Sequence, residues 1–272
     1  MNQITIIIPA KDEAENIRYA LESCAWAQKI FVIDNFSTDA TPTIVAEFSN
    51  AELISRPFDG YAKQKNWALV NLPIQTEWIL FLDADEVVSP PLAEEMCAIA
   101  QKPSAPDCWY VNRRFIFLGR WIKHAGWYPS WNLRFFRRGK AFYEEREIDE
   151  HMIASSACAY LRNDLIHENH KGVHDWIAKH NTYSTLQAQE LFSDEAKGLR
   201  GNMLSRHPVE RKRAIKRLFY RLPFRPLLRF LVMYILQLGF LDGKAGFSFC
   251  VLRAIQEFHI NLKLKELKST KH

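Results

Sequence analysis

Trp78-Ile79-Leu80-Phe81-Leu82-Asp83-Ala84-Asp85-Glu86 is an apolar run that ends in two carboxylates one residue apart. The run has the length and bulk of a strand covered on both faces. The acidic tip has the chemistry to hold a hard divalent cation, Mg2+ or Mn2+, which in turn can hold a diphosphate. Taken alone, such a tip could equally be an exposed turn after a core strand. Its neighbours decide the reading.

Upstream, Ile4–Pro9 is a second continuous apolar run, and Ala14, Ile17, Leu21 and Cys24 then form a helical stripe. Lys29–Asp34 reads as another strand, and Ser37-Thr38-Asp39 offers N-cap chemistry for a helix through Ile44 and Val45. Ala51–Ser55 is a weaker strand, and Ala62–Leu72 reads as a helix. Glu77–Asp83 is the fourth strand, and Ser89-Pro90-Pro91 opens another helix. Strands alternating with helices at short spacing predict a mostly parallel, doubly covered α/β sheet. Ligands of such sheets bind beyond the carboxyl ends of the strands. Asp12 with Glu13, Asp34, and Asp83 with Asp85 all fall there. Asp34 can accept from the N3–H of a uracil base, or cap a helix together with its neighbours. Lys63, Lys65 and Asn66 are placed to face a diphosphate or solvent.

From Cys108 to Ile166 aromatic residues crowd among Arg and Gly, as expected for strands and loops that complete the sheet and wall a substrate site. Trp127, Tyr128 and Trp131 are candidates for stacking on acceptor sugars, or core residues. In Glu144-Glu145-Arg146-Glu147-Ile148-Asp149-Glu150-His151, Glu150 or Asp149 could take a proton from an acceptor hydroxyl. His151, His167, His170, His174 and His180 have no cysteine or HExxH partner, so a zinc site is not expected. His167 is instead a candidate additional ligand for the metal–diphosphate site.

The chain has 272 residues, enough for one large domain or a domain with an appended module, and 48% hydrophobic content excludes a disordered chain. Its net charge of +5 is unevenly spread. Residues 1–194 carry 19 basic against 26 acidic side chains, and residues 195–272 carry 17 against 5. Arg206–Arg229 has nine Lys/Arg and one Glu, interleaved with Leu218, Phe219, Tyr220, Leu222 and Phe224. The apolar Leu227–Leu241 follows, and then an amphipathic helix over Ala245–Leu267. This pattern predicts peripheral contact with an anionic membrane surface. Nucleic acid is not an expected partner, because no RNP, helix-turn-helix or zinc-finger pattern accompanies the basic residues. No run of 18 uninterrupted apolar residues predicts a span. Ile4-Thr5-Ile6-Ile7-Ile8 follows no basic n-region, so no signal peptide is expected. Five widely spaced cysteines predict buried thiols in a reducing compartment, not a disulfide framework.

At these residues the chain resembles the bacterial family 2 glycosyltransferases of GT-A fold. Ile6-Ile7-Ile8-Pro9-Ala10-Lys11-Asp12-Glu13-Ala14-Glu15-Asn16-Ile17 is similar to that family's opening strand and N-E-x-x-N-I segment, with Asp12 replacing the usual Asn. Val32-Ile33-Asp34-Asn35-Phe36-Ser37-Thr38-Asp39-Ala40-Thr41 resembles V-D-D-G-S-T-D-G-T, departing at Asn35, Phe36 and Ala40. Leu82-Asp83-Ala84-Asp85-Glu86 matches D-x-D. Asn132–Gly139 and Gly239–Gly246 are similar to segments of the lipopolysaccharide-core and exopolysaccharide enzymes. The resemblance implies a Rossmann-like, mixed and mostly parallel sheet with flanking helices and a basic helical C-terminal extension. It divides the chain into a catalytic domain over 1–195, with a donor half 1–105 and an acceptor half 106–195, and an extension over 196–272. It further implies an inverting transfer from a nucleotide-sugar donor, usually a UDP-sugar, to a glycan or glycolipid acceptor at the cytoplasmic face of the inner membrane. Pro9, Glu13 and Asp34, with Lys63 and Lys65, would then serve the donor. Asp83 would lie by the ribose and diphosphate, Asp85 on the metal, and Glu150 in the base position. Two rivals remain: a non-catalytic nucleotide-sugar or polyanion-binding module, disfavoured by Asp83, Asp85 and Glu150 all being present, and a nucleotidyltransferase. The latter typically begins with a Gly-rich basic loop, which Pro9-Ala10-Lys11-Asp12-Glu13 is not.

Overall fold

The first apolar run becomes a strand with both faces covered. Ile4, Ile6 and Ile8 of β1 (Ile4–Ala10) pack with Ile17 and Leu21 of α1 (Ile17–Ser23), whereas Ile7 faces the opposite layer. Side chains of a strand alternate between faces, so an unbroken apolar run demands cover on both. In the computed structural model, residues 3–144, 151–196 and 224–269 are described. Asp149, Glu150 and most of the basic stretch from Arg206 lie outside them.

The chain continues through β2 (Lys29–Asp34), α2 (Thr41–Ala46), β3 (Ala51–Ser55), α3 (Tyr61–Asn71), β4 (Trp78–Phe81), β5 (Glu86–Val88) and α4 (Pro90–Ala100). Next come β6 (Cys108–Phe117), β7 (Arg120–Trp121), β8 (Trp131–Arg137), β9 (Ala141–Tyr143), β10 (Met152–Ala154) and β11 (Cys158–Glu168). The main sheet runs β3-β2-β1-β4-β8-β6-β11-β5, with β7 paired to β6. The first four strands are parallel, β8 is antiparallel to β4 and β6, and β6 and β11 are parallel. This is the mixed, mostly parallel α/β sheet expected. One layer joins the sheet to α1 and α4 through Leu80, Leu92 and Met96. The other joins it to α3 and the β9–β10 hairpin through Phe81, Ala62, Ala68, Phe136 and Tyr143. Burying each fully covered Ile or Phe contributes roughly 2 kcal/mol.

One local expectation changed. Helix α2 has Ala40 at its N-cap position, not Ser37 or Asp39, and no side-chain cap. Both polar residues bond elsewhere, as described below. The apolar segment from Leu227 is broken. A helix α6 (Arg225–Leu231) gives way to a π-turn over Val232–Leu236, Leu238 adopts a left-handed φ of 58°, and a 3-10 turn covers Gly239–Asp242.

Contacts divide the chain into two compact units. The first runs to Trp121 and resumes over Trp127–Lys171; the second takes Ile122–Gly126 and the chain from Gly172 onward. Within the second unit, α5 (Gly172–Ala196) packs against the closing helix α7 (Gly243–Ser269). Lys263 of α7 donates to the Asn181 carbonyl and to Oγ of Ser184 and Oγ1 of Thr185, at 2.8 Å each. Arg225 ties α6 to α7 through Glu257 at 2.7 Å. The glycines of Gly239–Gly246 have a steric role. A Cβ on Gly246 would collide with the Gly239 carbonyl, and one on Gly239 with the Met233 carbonyl. Asp242 of the same segment accepts from the His124 backbone N–H at 2.9 Å and lies 2.7 Å from its Nδ1, holding Ile122–Gly126 in this unit. All five cysteines are free.

Candidate active site

Parallel register brings the acidic residues to one edge. Ala10 pairs with Asp34, Ile7 pairs with Phe81, and the Leu82 N–H donates to the Ile7 carbonyl at 3.0 Å. The loops after β1, β2 and β4 therefore leave the sheet side by side.

The first two loops interlock. The Asp12 N–H donates to Ser37 Oγ at 2.8 Å, and the Thr38 N–H donates to Asp12 Oδ1 at 2.7 Å. That N–H holds the Asp12 carboxyl below its ordinary value; burial opposes the shift and Lys11 adds to it. Glu13 N–H donates to Thr41 Oγ1 at 2.8 Å, and Ala14 N–H to Asp39 Oδ2 at 2.9 Å. Asp34 is buried, and its carboxylate accepts from both the backbone N–H and the hydroxyl of Ser37. These bonds are the alternative employment of Ser37 and Asp39. Asn35, one of the departures from the family pattern, accepts from Gln64 of α3. Pro9 sits at the end of β1, opposite Ile33.

Beyond β4 the chain turns tightly. The Glu86 N–H donates to the Asp83 carbonyl at 3.0 Å, and the Asp83 N–H donates to Glu86 Oε2 at 2.9 Å. The chain then crosses to pair with β11, placing Glu86 opposite His167. The Asp83-Ala84-Asp85 tip is thus stretched between β4 and the far side of the sheet. Asp83 receives a two-pronged contact from Arg134, at 3.2 and 2.6 Å. Burial disfavours the Asp83 charge, but Arg134, Lys65 and Arg113 outweigh it and hold its carboxyl far below the usual range. Asp85 Oδ2 lies 3.2 Å from His167 Nε2. Burial works against a charged His167, yet Asp85 and Glu86 raise its pKa above the ordinary value. Glu13, from the first loop, pairs with Lys171 at 2.8 Å and accepts from Asn16 at 2.7 Å. Burial raises its carboxyl pKa, Lys171 and Asn16 oppose the rise, and the negative charge of Asp85 adds to it.

Asp34, Glu13, Asp83, Asp85 and His167 therefore converge on one rim. Among the described residues, no group of three or more His, Cys, Asp or Glu is set to hold a metal. The Asp85–His167 pair still suits Mg2+ or Mn2+, since such ions take one or two protein ligands and fill the rest with phosphate oxygens and water.

Other expected residues separate. Lys63 is exposed, whereas Lys65 is nearly buried with its ammonium 4.7 Å from the Tyr143 ring centre. Asn66 clamps β9: it donates to the Tyr143 carbonyl and accepts from the Tyr143 N–H, both at 2.8 Å. Trp127 lies against Phe115, with ring centres 5.8 Å apart. Tyr128 donates to Asp164 at 3.1 Å. Trp131 lines a cavity of about 180 Å³ with Lys65, Arg134 and Tyr143. Sequence reasoning missed Glu86, Arg113 and Arg134. Glu86 is fully buried, 3.3 Å from Arg113 and 3.6 Å from Arg134. A signal was present: Arg134 is a charge set between the apolar Leu133 and Phe135, both buried.

A parallel half-sheet with acidic strand ends, completed by antiparallel strands, is the GT-A arrangement of enzymes that act on nucleotide-activated sugars. The glycosyl transferase family 2 model matches residues 5–168, and the chain belongs to that family of glycosyltransferases. It is 27% identical over 258 residues to "Lipopolysaccharide core biosynthesis glycosyltransferase LpsC" of Rhizobium meliloti (strain 1021), a match covering 93% of this chain and 87% of that protein. An uncharacterized glycosyltransferase of Rickettsia bellii (strain RML369-C) is 37% identical over 95 residues, 35% of this chain and 31% of that one. Among solved structures, S. aureus TarS 1-349 aligns over 94% of this chain and 91% of its own at 12% identity, with a TM-score of 0.46.

Proposed function

We propose that this glycosyltransferase moves a sugar, with inversion, from a UDP-sugar to a lipopolysaccharide-core or lipid-linked glycan. The convergence of Glu13, Asp83, Asp85 and His167 on the rim, inside the family-matched segment, carries this reading. The relative from Rhizobium, similar over nearly both whole chains, supports the class of acceptor.

Asp34 and Glu13 bind the nucleoside, with Pro9 ending the strand beneath it. Asp83, fixed by Arg134, orients the ribose and diphosphate, and Lys63 and Lys65 supply positive charge to the donor side. Asp85, with His167, would hold a divalent cation, which when bound neutralises charge on the departing diphosphate. Glu150, or Asp149 beside it, takes the proton from an acceptor hydroxyl. The freed oxygen forms the new bond to the anomeric carbon from the face opposite the diphosphate, and the bond to the diphosphate breaks. The basic, apolar C-terminal helices keep the enzyme at the cytoplasmic face of the inner membrane, next to its acceptor.

The test is a panel of UDP- and GDP-sugars scored by thermal stabilisation and slow donor hydrolysis, with and without Mn2+. A UDP-sugar should raise Tm by several degrees only with Mn2+. Asp85→Asn should lose that dependence, and Glu150→Gln should keep donor binding while transfer falls at least a hundredfold, the size usual for a lost general base. Metal-independent binding by wild type would remove the cation, and near-normal transfer by Glu150→Gln would remove the base.

A further inference from the structure

The break in the C-terminal helices builds a cavity. The chain leaves α6 through the π-turn, reverses at Leu238, and lays the 3-10 turn against the start of α7. The lack of a Cβ at Gly239 and Gly246 permits that close approach. Between these pieces lies a cavity of about 490 Å³, bounded by Tyr234, Phe240, Gly243, Lys244, Phe247 and Ser248. Its volume falls within the roughly 300–1,000 Å³ of small-molecule sites. The wall is mostly aromatic. Tyr234 meets Phe240 and Phe247 edge-on, with ring centres 6.2 and 5.6 Å apart. Phe230 contacts both Tyr234 and Phe247, at 5.2 and 5.9 Å. Even so, Phe240 and Phe247 stay 45% and 48% exposed.

Two polar side chains interrupt this wall. Lys244 and Ser248 are one turn apart on α7 and so share a face. Among the described residues, neither the Lys244 ammonium nor the Ser248 hydroxyl has a hydrogen-bond or ion-pair partner. Asp242, two residues before Lys244, is buried and turned to His124. An apolar wall with one cation and one hydroxyl does not suit a sugar or a nucleotide, whose polar groups point to all sides and would go unmet. It suits a hydrocarbon chain that ends in an anion. The chain gains by leaving water, and a phosphate takes charge-assisted bonds from the ammonium. Leu231, Ile235, Leu236, Leu238 and Leu241 are exposed on the same bent segment, so the cavity belongs to a surface fitted to lipid. We propose that it holds one acyl chain of an anionic phospholipid, with the lipid phosphate on Lys244 and Ser248. The inference rests on the membrane placement proposed above and deepens it, from a general surface attraction to a site for a single lipid.

The experiment uses the full chain and monomeric probes. Dihexanoyl phosphatidylglycerol, dihexanoyl phosphatidylcholine and glycerol 3-phosphate are titrated by calorimetry, below the concentration at which the lipids aggregate. Flotation with phosphatidylglycerol vesicles is run on the same samples. The phosphatidylglycerol should saturate one site, roughly tenfold tighter than glycerol 3-phosphate, which lacks the chains. It should also bind about fivefold tighter than the phosphatidylcholine, whose choline offsets the phosphate charge. Ser248→Trp, which fills the cavity, should weaken that binding roughly tenfold, and Phe240→Ala, at a half-exposed ring, about fivefold. Lys244→Gln should erase the preference between the two lipids. Leu236→Asp, outside the cavity, should keep the single site while flotation falls. Unchanged far-UV circular dichroism shows that each variant is folded. Equal affinity for the two lipids in wild type overturns the anionic head, and binding that survives both Ser248→Trp and Phe240→Ala overturns the site. No saturable binding by a protein that still floats leaves surface contact alone. If neither lipid nor vesicles bind, the membrane placement falls as well.

Discussion

Glu86 shows how little of an active site needs to touch substrate. It is fully buried, it receives the Asp83 N–H, and it faces Arg113 and Arg134. A buried carboxylate between two guanidiniums is stable only as a set, and removing one member strands the rest. Glu86→Gln keeps the shape and an acceptor for the Asp83 N–H, but turns the amide's hydrogens toward cations. We expect a loss of about 3 kcal/mol in urea-derived unfolding free energy, the scale of a broken buried ion pair. Donor hydrolysis should fall at least tenfold, because Arg134 then no longer holds Asp83. Unfolding within about half a kcal/mol of wild type, the range of neutral surface changes, would show the network to be dispensable. Asp83 and Asp85 were legible in sequence because D-x-D after an apolar run is a local pattern. Arg134 and Glu86 belong to a set closed by long-range pairing, with 51 positions separating Asp83 from Arg134, and no local pattern announces that.

At the scale of elements, the strands that read most clearly are those whose burial alone dictates their composition. β1, β2 and β4 are continuous apolar runs and fall where the sequence places them. β5 and the β9–β10 hairpin have three residues per strand, too few for any periodicity. Their positions depend on partners, β11 for β5 and α3 for β9. Asn66 supplies the second link through a pair of hydrogen bonds to the Tyr143 backbone. The sequence left Asn66 open between a diphosphate and solvent; it forms this clamp, since a side-chain amide matches a backbone N–H and C=O at once. Asn66→Ala should cost about 2 kcal/mol, two ordinary hydrogen bonds. Native-state hydrogen exchange would localise the loss, with the Tyr143 amide exchanging faster while the β1 and β4 amides stay protected. Unchanged protection at Tyr143 would mean that ring packing alone seats the hairpin.

At the scale of the whole molecule, the charge asymmetry of the sequence meets an apolar surface in the second unit. No single described helix is long and apolar enough to cross a membrane, but Arg225–Leu236 and Gly239–Ser269 form a pair bent by 75°. Around that bend Leu227, Leu231, Ile235, Leu236, Leu238 and Phe240 are exposed, Leu236 at 74%. Single exposed apolar residues are ordinary, but a group of this size calls for a cover. Arg225, Arg229 and Lys244 belong to the same bent pair, and in the sequence seven further Lys and Arg between 206 and 221 precede it. Apolar residues beside basic ones match the boundary of an anionic bilayer, each basic side chain contributing about 1 kcal/mol near the surface. Flotation with vesicles containing phosphatidylglycerol should therefore recover the protein at low salt and much less at 0.5 M NaCl, where screening shortens electrostatic reach to about 4 Å. Leu236→Asp with Leu231→Asp should weaken flotation at every salt concentration, because it removes insertion instead of attraction. Arg229→Glu with Lys244→Glu should weaken it chiefly at low salt. Equal recovery with neutral vesicles would remove the electrostatic part of this reading, and no recovery with either kind would remove the bilayer and leave the apolar surface for a protein neighbour.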